Sequence, residues 1–429
     1  MKLQLEIHNI HNIEFSEKTE IKAGTLSINH QELQNLLQQD KRLKKVDIEL
    51  AKPGESCRIL QVSDVIEPRI KINGDAEDFP GALGKQGTVG AGRTCVLRGP
   101  AIILSNQGDP RLLPEGEDEM GNIIDMSGPG AEFSLFAKTL NIVLLPHPAE
   151  TVSFDSYRLA FKLAGLKAAV YLARAGLDLE PDKLEVVELP SLIDISKSTA
   201  ALPKVAYICQ VHCTSYPPIT GEPILYGDNI KSLLPTIVHP NEVLDGALVN
   251  PYHNSRACQT YIFQNHPIIN SLYNRHGKDL CFVGVILTVS RYTEPERERS
   301  AAMAANLAKS VLGADGAIIT KASGGAPDID AAQTAQKCED LGVKAVLIMF
   351  DVASGIESGT VFNLPGARAI VNTGNEWELV RLPAVDRIIG RPVILPSGIS
   401  SSDELNKAIN WIAGALDQEG HSKIVSVRY

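Results

Sequence analysis

Short alternations of apolar and polar positions dominate the first third of the chain. Lys2–Ile7 alternates like a half-buried strand, and similar or wholly apolar segments recur at Thr25–Ile28, Val46–Leu50, Cys57–Val65, Arg69–Ile72, Thr94–Leu97, Ile102–Leu104, Ile123–Met126 and Asn141–Leu145. Turn residues separate them, as at Pro53-Gly54, Asn73-Gly74 and Pro80-Gly81. The pattern predicts a β-rich domain over residues 1–150, with one short helix at Gln31–Asp40. Asn106–Gly121 is acidic and rich in Gly and Pro, and is expected to be a surface loop.

The period changes near residue 150. Asp155–Ala175 carries apolar residues at helical spacing, from Tyr157 to Leu172, and runs into Gly176, which suits a left-handed residue just past a helix end. Val205–Val211 reads as a buried strand. Strands then alternate with helices: Val283–Thr288, helix Pro295–Leu312 before Gly313, Ala317–Thr320, helix Asp330–Leu341 before Gly342, then strands Val343–Phe350 and Ala367–Asn372. Such repetition predicts a parallel sheet covered on both faces. The expected fold is α/β, a β-rich domain (1–150) followed by a mostly parallel, doubly wound region (151–429). Ligands of such sheets gather at the carboxyl ends of the strands, here Thr288, Thr320-Lys321, Asp351 and Asn372-Thr373.

Charge and composition narrow the function. Across 429 residues, Lys and Arg number 41 and Asp and Glu 51, a formal net charge of −10. That argues against a nucleic-acid-binding face and a polybasic membrane anchor. Apolar runs such as Val283–Leu287 and Ala345–Phe350 fall far short of the ~18 residues a membrane-spanning helix needs. The first residues lack the continuous apolar stretch of a signal peptide. The seven cysteines are scattered and odd in number, which predicts free thiols in a cytoplasmic chain.

Candidate chemistry is sparse. Gly87–Thr94 holds a Gly-x-Gly before Arg93, but it lacks the dinucleotide spacing and precedes a strand, so a turn is expected. Asp125–Gly130 also reads as a turn. Cys209-Gln210-Val211-His212-Cys213 lacks a second ligand pair for zinc, and Cys209 lies within an apolar strand. No metal or nucleotide site is expected. The stretch 245–261 has no period, and its loop 248–262 packs His253, Asn254, Ser255, Arg256 and Cys258 together. Arg256 beside Cys258 favours a thiolate, and His253 is a candidate proton carrier. The competing reading is a polar loop with an incidental cysteine. Tyr273–Asp279 reads as a helix end, which accounts structurally for His276 and Lys278.

Several stretches together resemble a known family. They include Glu49–Ser56, Asp64–Arg69, Gly90–Thr94, Ile124–Pro129, Ala164–Ala169, Leu202–Tyr207, Leu244–Ala247, Arg275–Leu280 and Val283–Thr288. Ordered at matching spacing over nearly the whole chain, they resemble the proprotein of component B of the glycine, sarcosine and betaine reductases. The resemblance implies self-cleavage before a cysteine that follows Gly-Asn, leaving that cysteine as an N-terminal pyruvoyl group. It further implies an imine with a small amino or N-methylated substrate, whose C–N bond a thiol or selenol from a partner subunit then cleaves reductively. This chain lacks the Gly-Asn-Cys run. After Asp245-Gly246-Ala247 it reads Leu248-Val249-Asn250-Pro251, and Cys258 corresponds to the family's second cysteine. Cys258 is therefore the candidate pyruvoyl precursor or thiol, with His253 and Arg256 beside it. The alternative is an uncleaved homologue without the pyruvoyl group, acting as a small-ligand-binding or structural partner subunit.

Overall fold

The computed structural model describes residues 1–106, 122–197, 201–213, 222–251, 258–322, 324–351, 369–394, 398–416 and 425–426. The expected loop Asn106–Gly121 lies, apart from Asn106, outside the described residues, as do His253 and Arg256.

Two sheets build the first body. One has the order β9-β1-β5-β4, from β1 (Lys2–Asn9), β4 (Arg69–Asn73), β5 (Gly92–Arg98) and β9 (Lys183–Glu188). The other has the order β7-β3-β6-β8-β2, from β2 (Leu43–Ala51), β3 (Cys57–Ile66), β6 (Pro100–Ser105), β7 (Asn122–Asp125) and β8 (Leu140–Pro148). Alternate residues of this second sheet enter different cores, as strand pleating requires. Ile102, Leu104, Ile142 and Leu144 pack against the helices α1 (His30–Leu37) and α2 (Phe154–Ala173). Ala101, Ile103, Val143 and Leu145 face the opposite way, towards Tyr261 and Ile262.

The expected helix near 155–175 is α2, but its end differs from expectation. Gly176 is not left-handed; a 3-10 turn, Arg174–Gly176, continues the helix. Glycine is needed there for close approach, because a Cβ would sit 2.9 Å from Cys95 Sγ and from the His8 ring. Gly313 and Gly342 do adopt the left-handed conformation, at φ 63° and 76°.

The third sheet has the order β11-β12-β10-β13-β14-β15-β17. Its members are β10 (Lys204–Cys213), β11 (Thr236–Val238), β12 (Cys281–Ser290), β13 (Gly316–Thr320), β14 (Lys344–Asp351), β15 (Ile370–Asn375) and β17 (Val425–Ser426). The five strands from β12 to β15 are mutually parallel, and the edge strands β11 and β17 are antiparallel. Chain order along the parallel strands is second, first, third, fourth, fifth, so the connections leave β10 in opposite directions. Helices α5 (Glu294–Asn306) and α6 (Ala326–Asp340) cover one face through Ala304, Ala305, Ala331 and Ala335. The other face, with Tyr207, Cys209, Val285 and Leu287, meets α4 (Pro267–Arg275) and Leu3, Leu5 and Ile7 of β1. The first body thus closes the second face of the parallel sheet.

The chain then returns to its beginning. The short strand β16 (Arg387–Ile389) adds in parallel to β3, and Val380, Leu382, Leu405 and Ile409 bury against Leu60 and Ile123. Arg58, fully buried, ties this return in place. Its Nε and Nη2 donate to Asp125 at 2.7 and 2.9 Å, and its remaining N–H groups reach the carbonyls of Ser401, Asp403 and Pro383 at 2.7–2.9 Å. All five guanidinium N–H groups are used.

Candidate functional site

Where β3 ends, against the amino-terminal half of α2, four charged side chains are buried together. Asp64 is at the end of β3. Arg158 and Lys162 lie four residues apart on α2, which places them on one helix face. Glu222 completes the group. Lys162 Nζ is 2.7 Å from Glu222 Oε1 and donates to the carbonyls of Pro223 and Asn250 at 2.9 and 2.5 Å. Arg158 lies 3.2 Å from the other Glu222 oxygen. The ammonium thus has three oxygen neighbours for its three donors.

Asp64 organises the second half of the cluster. Its carboxylate accepts the backbone N–H groups of Val65 and Thr260, both at 2.8 Å, and the Thr260 hydroxyl at 2.7 Å. The Asn250 side chain lies 3.3 Å from it, and the Asn250 backbone N–H donates to Thr260 Oγ1 at 2.9 Å. Asn250 and Thr260 therefore staple together the two ends of the segment between them. That segment carries Cys258, two residues before Thr260 opens α3 (Thr260–Gln264). Among the six cysteines whose side chains are described, Cys258 is the one not fully buried, and all six are free thiols. It packs where the core of the parallel sheet meets that of the first body.

Burial sets the electrostatics. It pushes the Asp64 carboxyl up to about 6, against the pull of Thr260 and Lys162. It lowers Lys162, against the opposing effect of Glu222. His212, near the carboxyl end of β10, falls to about 4 for the same reason, and its field partners are Glu222, Lys162 and Arg158. At neutral pH His212 is a neutral imidazole beside a charged cluster. Several groups shifted in both directions in one place are a common mark of a functional site.

Sequence reasoning reached Cys258 but not its surroundings. His253 and Arg256 cannot be placed beside it, because they lie outside the described residues. Lys162, Glu222 and Thr260 were not singled out, Asp64 entered only within a matched stretch, and His212 only within the rejected zinc pattern. A signal did exist in α2, where Arg158 and Lys162 interrupt the side of a helix that is otherwise apolar. No group of three or more metal-ligating side chains occurs among the described residues.

The stretches that carried the resemblance prove to be joints. Gly90 N–H and Thr94 Oγ1 both donate to Asp245, at 2.7 and 2.8 Å, which joins Gly90–Thr94 to Leu244–Ala247. Arg69, paired with Glu67, donates to the carbonyls of Leu244 and Gln264 at 2.7 and 2.8 Å. Asp125 holds Arg58. His276 caps a turn and accepts the Phe282 N–H at 3.0 Å, in keeping with its structural reading.

A sequence profile of the glycine/sarcosine/betaine reductase component B subunits matches residues 1–410. The chain belongs to this family. It is 35% identical over the full length of both chains to the glycine reductase complex component B subunits alpha and beta of Acetoanaerobium sticklandii. It is 39% identical to the sarcosine reductase complex component B subunit alpha of Peptoclostridium acidaminophilum, over 91% of this chain and 89% of that one. The betaine reductase complex component B subunit alpha of the same organism is 33% identical over 91% and 88%. These relatives are named as subunits of multi-subunit complexes. No solved structure matches the chain. No helix among the described residues is long and apolar enough to cross a membrane.

Proposed function

We propose that this chain is a cytoplasmic component B subunit of a reductase complex, which binds a small amino or N-methylated substrate for reductive cleavage of its C–N bond. The observation that carries this reading is the end-to-end similarity to a glycine reductase component B. The sequence contains no selenocysteine, so any selenium chemistry comes from a partner subunit.

Cys258 is the residue we assign to the chemistry, as the precursor of a pyruvoyl group or as a thiol. The residues present fit such a group. Cys258 is half-buried, lies in a segment stapled at both ends, and adjoins the Asp64–Lys162 cluster. A bound pyruvoyl group supplies an electrophilic carbonyl that withdraws electrons from a substrate amine. The chain's own residues do the rest. Lys162 fixes the Asn250 carbonyl, and Asp64 fixes Thr260. Burial keeps His212 neutral at pH 7, so it adds no third cation to the cluster.

A second reading rests on Pro251. The Asn250 carbonyl held by Lys162 precedes a proline, which has no side-chain thiol for an N-to-S acyl shift. An uncleaved chain that binds small ligands on the same scaffold follows if Cys258 is also left intact.

Intact mass under denaturing conditions separates the two. Denaturation is required because a cut before Cys258 leaves the halves interlocked: β10 lies between β12 and β13, and Arg58 holds residues 383–403. Two fragments, the second beginning with a pyruvoyl cap at position 258, establish the first reading. One full-length species excludes cleavage, and thermal stabilisation of that intact chain by a small amino compound then establishes the second.

A further inference from the structure

A cavity of about 560 Å³ opens on the other side of α2, and the reading above leaves it unused. It lies between the second half of α2, the end of β4 and the loop that follows β4. Lys162 and Lys167 are five residues apart, so they point about 140° apart around the helix. The cavity falls within the size range of small-molecule sites, roughly 300–1,000 Å³. Leu36, Leu83 and Val170 supply an apolar wall. The loop is folded tightly at Gly84, where a Cβ would lie 2.4 Å from Glu77 Cβ.

The charges lining the cavity are unequally engaged. Asp78 accepts the Lys71 backbone N–H at 2.6 Å, and Glu77 accepts that of Lys85 at 3.1 Å. The Lys71 ammonium is held by Asp245 at 2.6 Å and by the Ala91 carbonyl at 2.9 Å. Lys167 and Arg174 remain. Seven residues apart on one face of α2, they line the cavity, and their side chains make no hydrogen bond or ion pair among the described residues. The acids accept hydrogen bonds from the loop's own backbone; Arg174 feels the charge of Asp78 and Lys167 that of Asp40, but neither cation is held by a hydrogen bond or ion pair among the described residues.

We propose that this cavity is a second small-molecule site that takes an organic anion. A carboxylate or phosphate head sits between Lys167 and Arg174, and an apolar body lies against Leu36, Leu83 and Val170. The site is independent of the Cys258 chemistry and stands whether or not the chain is cleaved.

Calorimetric titration of the full chain with benzoate and with phenyl phosphate tests the proposal and tells the two head groups apart. At least one probe should bind saturably. The double variant Lys167→Gln/Arg174→Gln keeps side-chain bulk and should weaken that binding by about tenfold or more, since each charge-assisted hydrogen bond contributes about 1.5–3 kcal/mol and 1.4 kcal/mol is tenfold. Lys85→Ala, an exposed cation outside the cavity, should leave affinity unchanged. Absence of saturable binding to the folded wild-type chain, or an unchanged affinity in the folded double variant, overturns the proposal.

Discussion

Two of the buried charge clusters, around Arg58 and around Lys162, are built differently. Around Arg58 there is one pair, and each guanidinium N–H meets a carboxylate or carbonyl oxygen of fixed backbone. Around Lys162 there are four charges in two signs, with an acid pushed up and a lysine and a histidine pushed down by burial. The first cluster joins distant parts of the chain. The second keeps its groups in energetically costly states beside a segment that bears a half-exposed thiol. Groups that burial shifts in both directions often collect where function needs them. On the function proposed above, the contrast makes Arg58 a joint and the Lys162 cluster the surroundings of the chemistry.

Breaking the comparison starts with the largest effect. Arg58→Met leaves Asp125 buried without its partner and releases three carbonyls, so unfolding in urea should show a loss of about 3–5 kcal/mol. Protection from hydrogen exchange should fall first in residues 376–416. A loss below 1 kcal/mol would mean that the pair is not the joint described here. Lys162→Met should cost less, about 2–3 kcal/mol, because Arg158 still compensates Glu222. Unlike Arg58→Met, it should also abolish turnover in the reconstituted complex at temperatures where the variant remains folded. Retained turnover would reduce Lys162 to a structural clamp.

The same division explains what could be read from the chain. Strand and helix periods gave the β-rich beginning and the alternating second part, because pleated strands and packed helices repeat their burial over many residues. Matched stretches such as Gly90–Thr94 and Leu244–Ala247 were legible too, yet the structure uses them as joints. The cluster was illegible because its members are single residues far apart in the chain: Asp64, Lys162, Glu222, Thr260 and His212. Only folding brings them together, and nothing local marks Glu222. The return of residues 376–394 and 398–416 was invisible for a similar reason, since strands of two to four residues leave almost no periodic trace.

Asp64 offers a pH test of the functional cluster. Its folded-state value of about 6 lies above the ordinary 3.8, so the folded chain holds the proton more tightly than the unfolded chain. Below about pH 4 both states hold the proton and the stabilising contribution is fully present. As pH rises from about 4 to about 6 the unfolded chain loses its proton first, and the contribution of Asp64 to stability falls, by about 3 kcal/mol in all. Asp64→Asn keeps an acceptor for the Val65 and Thr260 N–H groups but cannot titrate. Its denaturation free energy should therefore lack this downward component between about pH 4 and pH 6, a window set by the same shift. Parallel pH profiles for wild type and variant would show that Asp64 is ionised throughout.

Cys258→Ala should have the smallest structural effect and the most informative functional one. The side chain is half-buried, and the sulfur's contact with the carbonyl of Gln259, at 3.7 Å, is a weak one. Truncation to Ala removes one sulfur from the meeting point of two cores, and stability should change by less than about 1 kcal/mol. If the residue carries the reaction, turnover with the partner subunits falls to background in a chain that melts like wild type, and any fragments seen by mass in the wild type disappear. Unchanged turnover would remove the sulfur from the mechanism and leave the Lys162 cluster without a reactive neighbour. The chemistry would then have to come wholly from the partner, and the buried charges would serve only to shape a binding surface for it.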